Sequence, residues 1–76
     1  MDRQGDFLRL LGRRINELRE ERRLTIEALA MLTGLDPGDL AAMEAGKIDI
    51  QLTTIYRLAR GLGITAGEFL NFPGDI

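Results

Sequence analysis

Apolar residues recur at helical spacing in five separate stretches of the chain. Phe7, Leu8, Leu10, Leu11, Ile15 and Leu18 fall within one side of a helical wheel, and Arg9, Arg13, Asn16 and Glu20 fall on the other. That pattern predicts a first and longest helix over 6–22. Gly12 interrupts it at a cost of roughly 1 kcal/mol relative to Ala, so its expected use is the close approach of another helix. Ile26, Leu29, Ala30 and Thr33 predict a second helix over 26–32. Leu40 and Met43 give an apolar side to a third over 37–45. Leu52, Ile55, Leu58, Ala59 and Leu62 mark a fourth over 52–61, and Phe69 with Leu70 mark a short fifth over 66–71. The expected core is Leu11, Ile15, Leu18, Leu29, Leu35, Leu40, Met43, Ile55, Leu58 and Leu62. The fold class is all-α.

The residues between these stretches supply the stops and starts. Thr25 suits an N-cap. Gly34 sits where the second helix must end, in the left-handed conformation that Gly takes at no steric cost. Leu35 follows as a buried turn residue. Asp36 caps the third helix, Pro37 fills its first position, and Asp39 is placed to reach back as in a capping box. Gly46 stops that helix. Two short helices with a Gly-containing turn over residues 25–46 spell a helix-turn-helix. Residues 47–51 form the loop out of it. Gly61 weakens the end of the fourth helix and Gly63 closes it. Thr65 and Glu68 predict a capping box for the fifth, and Asn71-Phe72-Pro73-Gly74 reads as a terminator and tail.

On these residues the chain resembles the Cro/lambda-repressor-like (XRE-type) helix-turn-helix family. The matches are Leu29-Ala30, Gly34-Leu35, Leu40, Met43-Glu44 and Gly46-Lys47. They are flanked by Leu11-Gly12-Arg13-Arg14-Ile15 with Leu18-Arg19, and by Leu52, Ile55, Leu58-Ala59, Leu62-Gly63-Ile64 and Leu70. The joint spacing over five helices carries the resemblance, which spans residues 8–70. It implies a five-helix lambda-repressor-like DNA-binding domain, with residues 1–76 as a single domain. In such a domain the second motif helix enters the major groove. The implied base-facing residues are Ile26, Pro37, Gly38, Asp39, Ala41 and Ala42. The implied phosphate-facing residues are Thr25, Lys47, Thr53 and Thr54. A structural ion pair of Arg19 with Glu44 is implied as well, and so is pairing into a homodimer. Two readings of Phe72 stay open: it folds back onto the core, or it joins Phe69 in the dimer contact.

Composition narrows the chemistry. A chain of 76 residues buries only ~60% of its unfolded surface, so its stability is modest. It has no Cys, no His, no Ser and one Tyr, which argues against an enzyme and against zinc sites and disulfides. Glu20-Glu21 beside several Arg reads as a solvated face. Gly61-Leu62-Gly63 follows no strand and is no phosphate loop. No cofactor is expected. No apolar run approaches the ~18 residues of a membrane span, and MDRQGD lacks the apolar core of a signal peptide, so the cytoplasm is the expected compartment.

Charge complicates the DNA expectation. The net charge is −2. Residues 1–24 carry seven Arg against five acids, whereas residues 25–54 carry Lys47 against Glu27, Asp36, Asp39, Glu44 and Asp49. Acidity is thus concentrated in the motif, where phosphate would be repelled. From Thr25 to Gly46 there is no Arg, Lys, Asn, Gln or Ser, the side chains that read most base edges. The Arg residues of the first helix fit either a solvated face, with a pair such as Arg13–Glu17, or a phosphate-contacting rim. Ile26, Met31 and Leu32 stand where the family mostly shows polar or mixed residues, as extra core or as a contact surface for protein. The expectation is a small DNA-binding transcriptional regulator acting as a dimer on a two-fold operator. The alternative is a protein-interaction module on the same scaffold with DNA recognition weakened or lost.

Overall fold

The computed structural model describes residues 3–72. Five helices follow one another: α1 (Arg3–Glu21), α2 (Ile26–Thr33), α3 (Pro37–Glu44), α4 (Leu52–Leu62) and α5 (Ala66–Leu70). No strand occurs among the described residues. Pro73 and Gly74 of the expected tail, and the first two residues of MDRQGD, lie outside them.

Helix type and order agree with the apolar periodicity; the starts of the last four coincide, and the remaining ends differ by one to three residues. α1 starts at Arg3 rather than at residue 6. Arg3, Gln4 and Gly5 carry no apolar side chain, so this turn is invisible to the pattern, and Asp6 lies in the first turn, where its charge suits the helix dipole. The same helix stops at Glu21. Arg23 takes a left-handed conformation, φ 55°, and the Leu24 amide donates back to the Arg19 carbonyl at 3.2 Å. A helix closed by a residue other than Gly leaves little trace in the sequence.

One core joins all five helices. Leu11, Ile15 and Leu18 of α1 meet Leu29 and Ala30 of α2, Leu40 and Met43 of α3, and Ile55, Leu58, Ala59 and Leu62 of α4, with Phe69 of α5. Leu35, expected in the core, is only half-buried and packs on its edge, because the turn carries it away from the helix faces. Ile50 is buried instead. The loop K-I-D-I-Q is extended enough to alternate: Ile48 and Ile50 turn inward, while Lys47, Asp49 and Gln51 stay exposed.

Arginines tie the helices together by closing carbonyl ends that helices leave open. Arg14 donates to the Phe69 and Glu68 carbonyls of α5 at 2.8 and 2.7 Å. Arg22 donates to the Leu62 carbonyl that ends α4 at 2.9 Å. Neither reading of the first-helix arginines anticipated this use. Arg13 and Glu17 form no ion pair with each other.

The expected capping box of α5 is complete. Thr65 Oγ1 accepts the Glu68 amide at 3.0 Å and Glu68 Oε1 accepts the Thr65 amide at 3.1 Å. The bond from the Thr65 backbone, then that with its hydroxyl, holds the Glu68 carboxyl below the usual glutamate value. A carboxyl lowered on folding adds stability above its unfolded value and loses it as pH falls through the folded one. Acidification through that lower range should therefore release the Thr65 amide and fray α5. An amide NMR titration should give Thr65 a midpoint below the usual glutamate value, and Glu68→Gln should abolish the step. A midpoint at or above that value would contradict the role given to the box.

Candidate nucleic-acid interface

Local capping sets α2 and α3. Thr25 Oγ1 accepts the Ala28 amide at 3.0 Å. Gly34, at φ 73°, returns its amide to the Ala30 carbonyl at 2.8 Å. The turn is held from outside the motif by Arg57 of α4, which donates to the Thr33 and Gly34 carbonyls at 3.2 and 3.0 Å. Sequence reasoning missed Arg57, since nothing local distinguishes it from an exposed α4 cation. Asp36 Oδ2 accepts the Asp39 amide at 3.0 Å. The reciprocal bond expected from Asp39 is absent; a box is normally closed by the longer Glu or Gln.

α3 is oriented against α1 by two devices. The first is Gly12, buried in α1. A Cβ there would lie 2.4 Å from the Met43 carbonyl oxygen and 2.6 Å from that of Glu44. The second is the Glu44 carboxylate. Arg19 Nε donates to Oε2 at 2.7 Å and Nη2 to Oε1 at 3.0 Å, while Nη1 reaches the Leu24 carbonyl at 2.8 Å. Asn16 Nδ2 adds a bond to Oε1 at 2.9 Å, although its wheel position had placed it on the solvent side. The side chains of Arg19 and Glu44 are only 14% and 9% exposed. The bond to Glu44 raises the Arg19 guanidinium above its ordinary value against the opposing effect of burial.

These contacts turn a sparse surface outward. Pro37, Gly38, Asp39 and Ala41 are exposed and Ala42 is half-buried. Ile26 is half-buried and packs on the core. Beyond the C-terminus of α3, Gly46 lies against Arg9 of α1: a Cβ on it would be 2.8 Å from Arg9 Cγ. Arg9, which also pairs with Asp6, thus packs on the residue that precedes exposed Lys47. Thr53 is exposed and Thr54 half-buried at the start of α4. Gln51 gives that helix no side-chain cap, and the Thr54 and Ile55 amides both turn back to the Gln51 carbonyl. The amides of Leu52 and Thr53 are left for an outside acceptor.

The residues assigned to a dimer contact separate. Phe69 is 0% exposed, inside its own protomer's core, and offers no surface to a partner. Phe72 folds back against the core, half-buried, with the Arg14 guanidinium 5.8 Å from its ring centre. Leu70, next to Phe69, is exposed. On α2, Met31 and Leu32 are 82% and 58% exposed, which removes the extra-core reading for both. Among the described residues no cluster of His, Cys, Asp or Glu could hold a metal ion, and no helix is long and apolar enough to cross a membrane.

A protein-family model described as a helix-turn-helix domain matches residues 12–74. The chain is 31% identical over 70 residues to the uncharacterized HTH-type transcriptional regulator y4dJ of Sinorhizobium fredii, which covers 92% of this chain and 90% of that protein. It is 27% identical over 62 residues to the HTH-type transcriptional regulator PuuR of Escherichia coli, covering 82% of this chain but 34% of PuuR. The chain thus spans about a third of the length of PuuR. Among solved structures, the restriction-modification controller protein C.AhdI from Aeromonas hydrophila superposes with a TM-score of 0.81 at 36% identity, covering 84% of this chain and 97% of that one. The hypothetical transcription factor NHTF from Neisseria gives 0.82 at 27% identity, covering 96% and 84%.

Proposed function

We propose that this chain, which belongs to the XRE-type helix-turn-helix family, is a small DNA-binding transcriptional regulator of the cytoplasm, not an enzyme. Its relatives are named transcriptional regulators. The observation that carries the reading is the bracket around α3: exposed Lys47 just beyond its C-terminus, where Arg9 packs on Gly46, and the open amides of Leu52 and Thr53 with the hydroxyls of Thr53 and Thr54 at the next helix start. Both are groups that hold phosphate. Thr25 at the start of α2 joins them, and Ile26, Pro37, Gly38, Asp39, Ala41 and Ala42 face the bases. Fluorescence titration of genomic DNA fragments at low salt tests this directly; saturable binding is expected.

Phosphate contacts should dominate that binding. Pro37, Gly38, Ala41 and Ala42 have no side-chain donor, and a good bidentate base contact is worth about 1–3 kcal/mol of discrimination. Lys47→Ala should weaken binding to all sequences by a similar factor and lower the slope of log K against log salt by about 1. An unchanged slope would remove Lys47 from the interface.

A single molecule presents one α3, which suits one half-site, and two-fold pairing supplies the second. The homodimer contact is assigned to the α5 end through Leu70 and Phe72, with Phe69 supporting it from inside. Phe72→Ala should shift the protein toward monomer in sedimentation at tens of micromolar. A parent chain that is already monomeric there would end the assignment.

Exposed Met31 and Leu32 favour a second reading, a protein-binding module on the same scaffold. Absence of DNA binding at low salt would select it.

A further inference from the structure

We infer that Asp39 sets the base preference of the site, selecting cytosine and rejecting guanine at the position it faces. The inference rests on the DNA-binding reading above and adds to it which base is read.

Among the side chains of α3, Asp39 alone is polar and uncommitted. Glu44 is closed by Arg19 and Asn16. The Asp39 carboxylate is exposed and accepts no bond within the protein; only its backbone amide is used, by Asp36. Gly38 and Ala41 beside it are small, so nothing holds the helix away from a groove floor and a short side chain can reach.

An ionised carboxylate is an acceptor only. In the major groove the donors are the cytosine N4 amino group and the adenine N6 amino group. Guanine offers N7 and O6, and thymine offers O4, all acceptors. Adenine sets its N7 acceptor beside the amino group, so a carboxylate there meets one attraction and one repulsion. Cytosine has no acceptor beside N4 on that edge. The order is therefore cytosine, then adenine, with guanine and thymine refused. The absence of Arg and Lys from Thr25 to Gly46 leaves no guanine reader on the helix to compete.

The test is selection from a pool of randomised duplexes at low salt, with the whole chain and with Asp39→Asn and Asp39→Ala. One half-site position should carry cytosine, bound about tenfold tighter than guanine there. Asp39→Asn should move that position to adenine, which Asn reads through N6 and N7, and Asp39→Ala should leave it unselected. If all three proteins select the same sequences, DNA binding stands and the role of Asp39 is overturned. If none binds any duplex, the DNA-binding reading falls and this inference with it.

Discussion

Gly12→Ala should destabilise the protein by about 3 kcal/mol, although Ala is the better helix former by roughly 1 kcal/mol. Two effects of opposite sign compete, and contact geometry decides between them. The new Cβ would sit 2.4 and 2.6 Å from the carbonyl oxygens of Met43 and Glu44 and 2.9 Å from the Glu44 carbonyl carbon. All three are backbone atoms, so no side chain can swing aside and α3 must move off α1. Overpacking of this kind costs about 1–3 kcal/mol and occasionally more. Glu44 moves with that backbone, so its bonds to Arg19 and Asn16 stretch as well. Small domains hold about 5 kcal/mol in all, and each kcal/mol is worth ~4–8 °C of melting temperature at this size. Thermal denaturation should therefore show a fall of at least 10 °C. A variant as stable as the parent would mean that α1 and α3 do not touch as described.

Glu44→Ala is expected to cost about as much, by another route. It leaves the Arg19 guanidinium nearly buried with the Leu24 carbonyl as its remaining partner, and it strands the Asn16 amide. Removing one member of a buried pair is strongly destabilising, about 3–5 kcal/mol when burial is complete, and the slight exposure here argues for about 3. The discriminating measurement is a double-mutant cycle. Arg19→Leu combined with Glu44→Leu should recover part of the loss of either single variant, because no unpaired charge stays behind. Losses that simply add would show that the pair does not act as a unit.

The difference between what was legible and what was not follows from range. Helix positions, Thr25 as a cap, Gly34 as a left-handed stop and the Thr65–Glu68 box are decided within a few residues, so local spacing reveals them. Arg14, Arg22 and Arg57 act on carbonyls 23 to 55 positions away, and no local rule separates such an arginine from a solvated one. Asn16 was misplaced for the same reason: its wheel angle points away from Leu11 and Ile15 but toward Glu44 of another helix. Ile50 was hidden inside a loop, because a buried alternation of two apolar residues is too short to stand out. Phe69, a large aromatic near the last helix, reads in the sequence as a surface anchor, whereas its helix turns it inward. At the interface, the scarcity of base-reading side chains on α3 was plain from composition. The approach of Arg9 to Gly46, next to Lys47, was not, because it depends on Gly46 letting α1 come close.

α3 divides cleanly into two faces. Leu40, Met43 and Glu44 hold it to the scaffold, while Pro37, Gly38, Asp39 and Ala41 are exposed and lie outside the core. Rewriting Asp39 and Ala41 should therefore cost the fold little, whereas a Cβ at Gly38 would lie 3.0 Å from the Asp36 oxygen that caps the helix. Target preference can drift, or be re-engineered, by substitutions that stability does not police, so descendants of one such scaffold are free to part company in what they recognise long before they differ in shape.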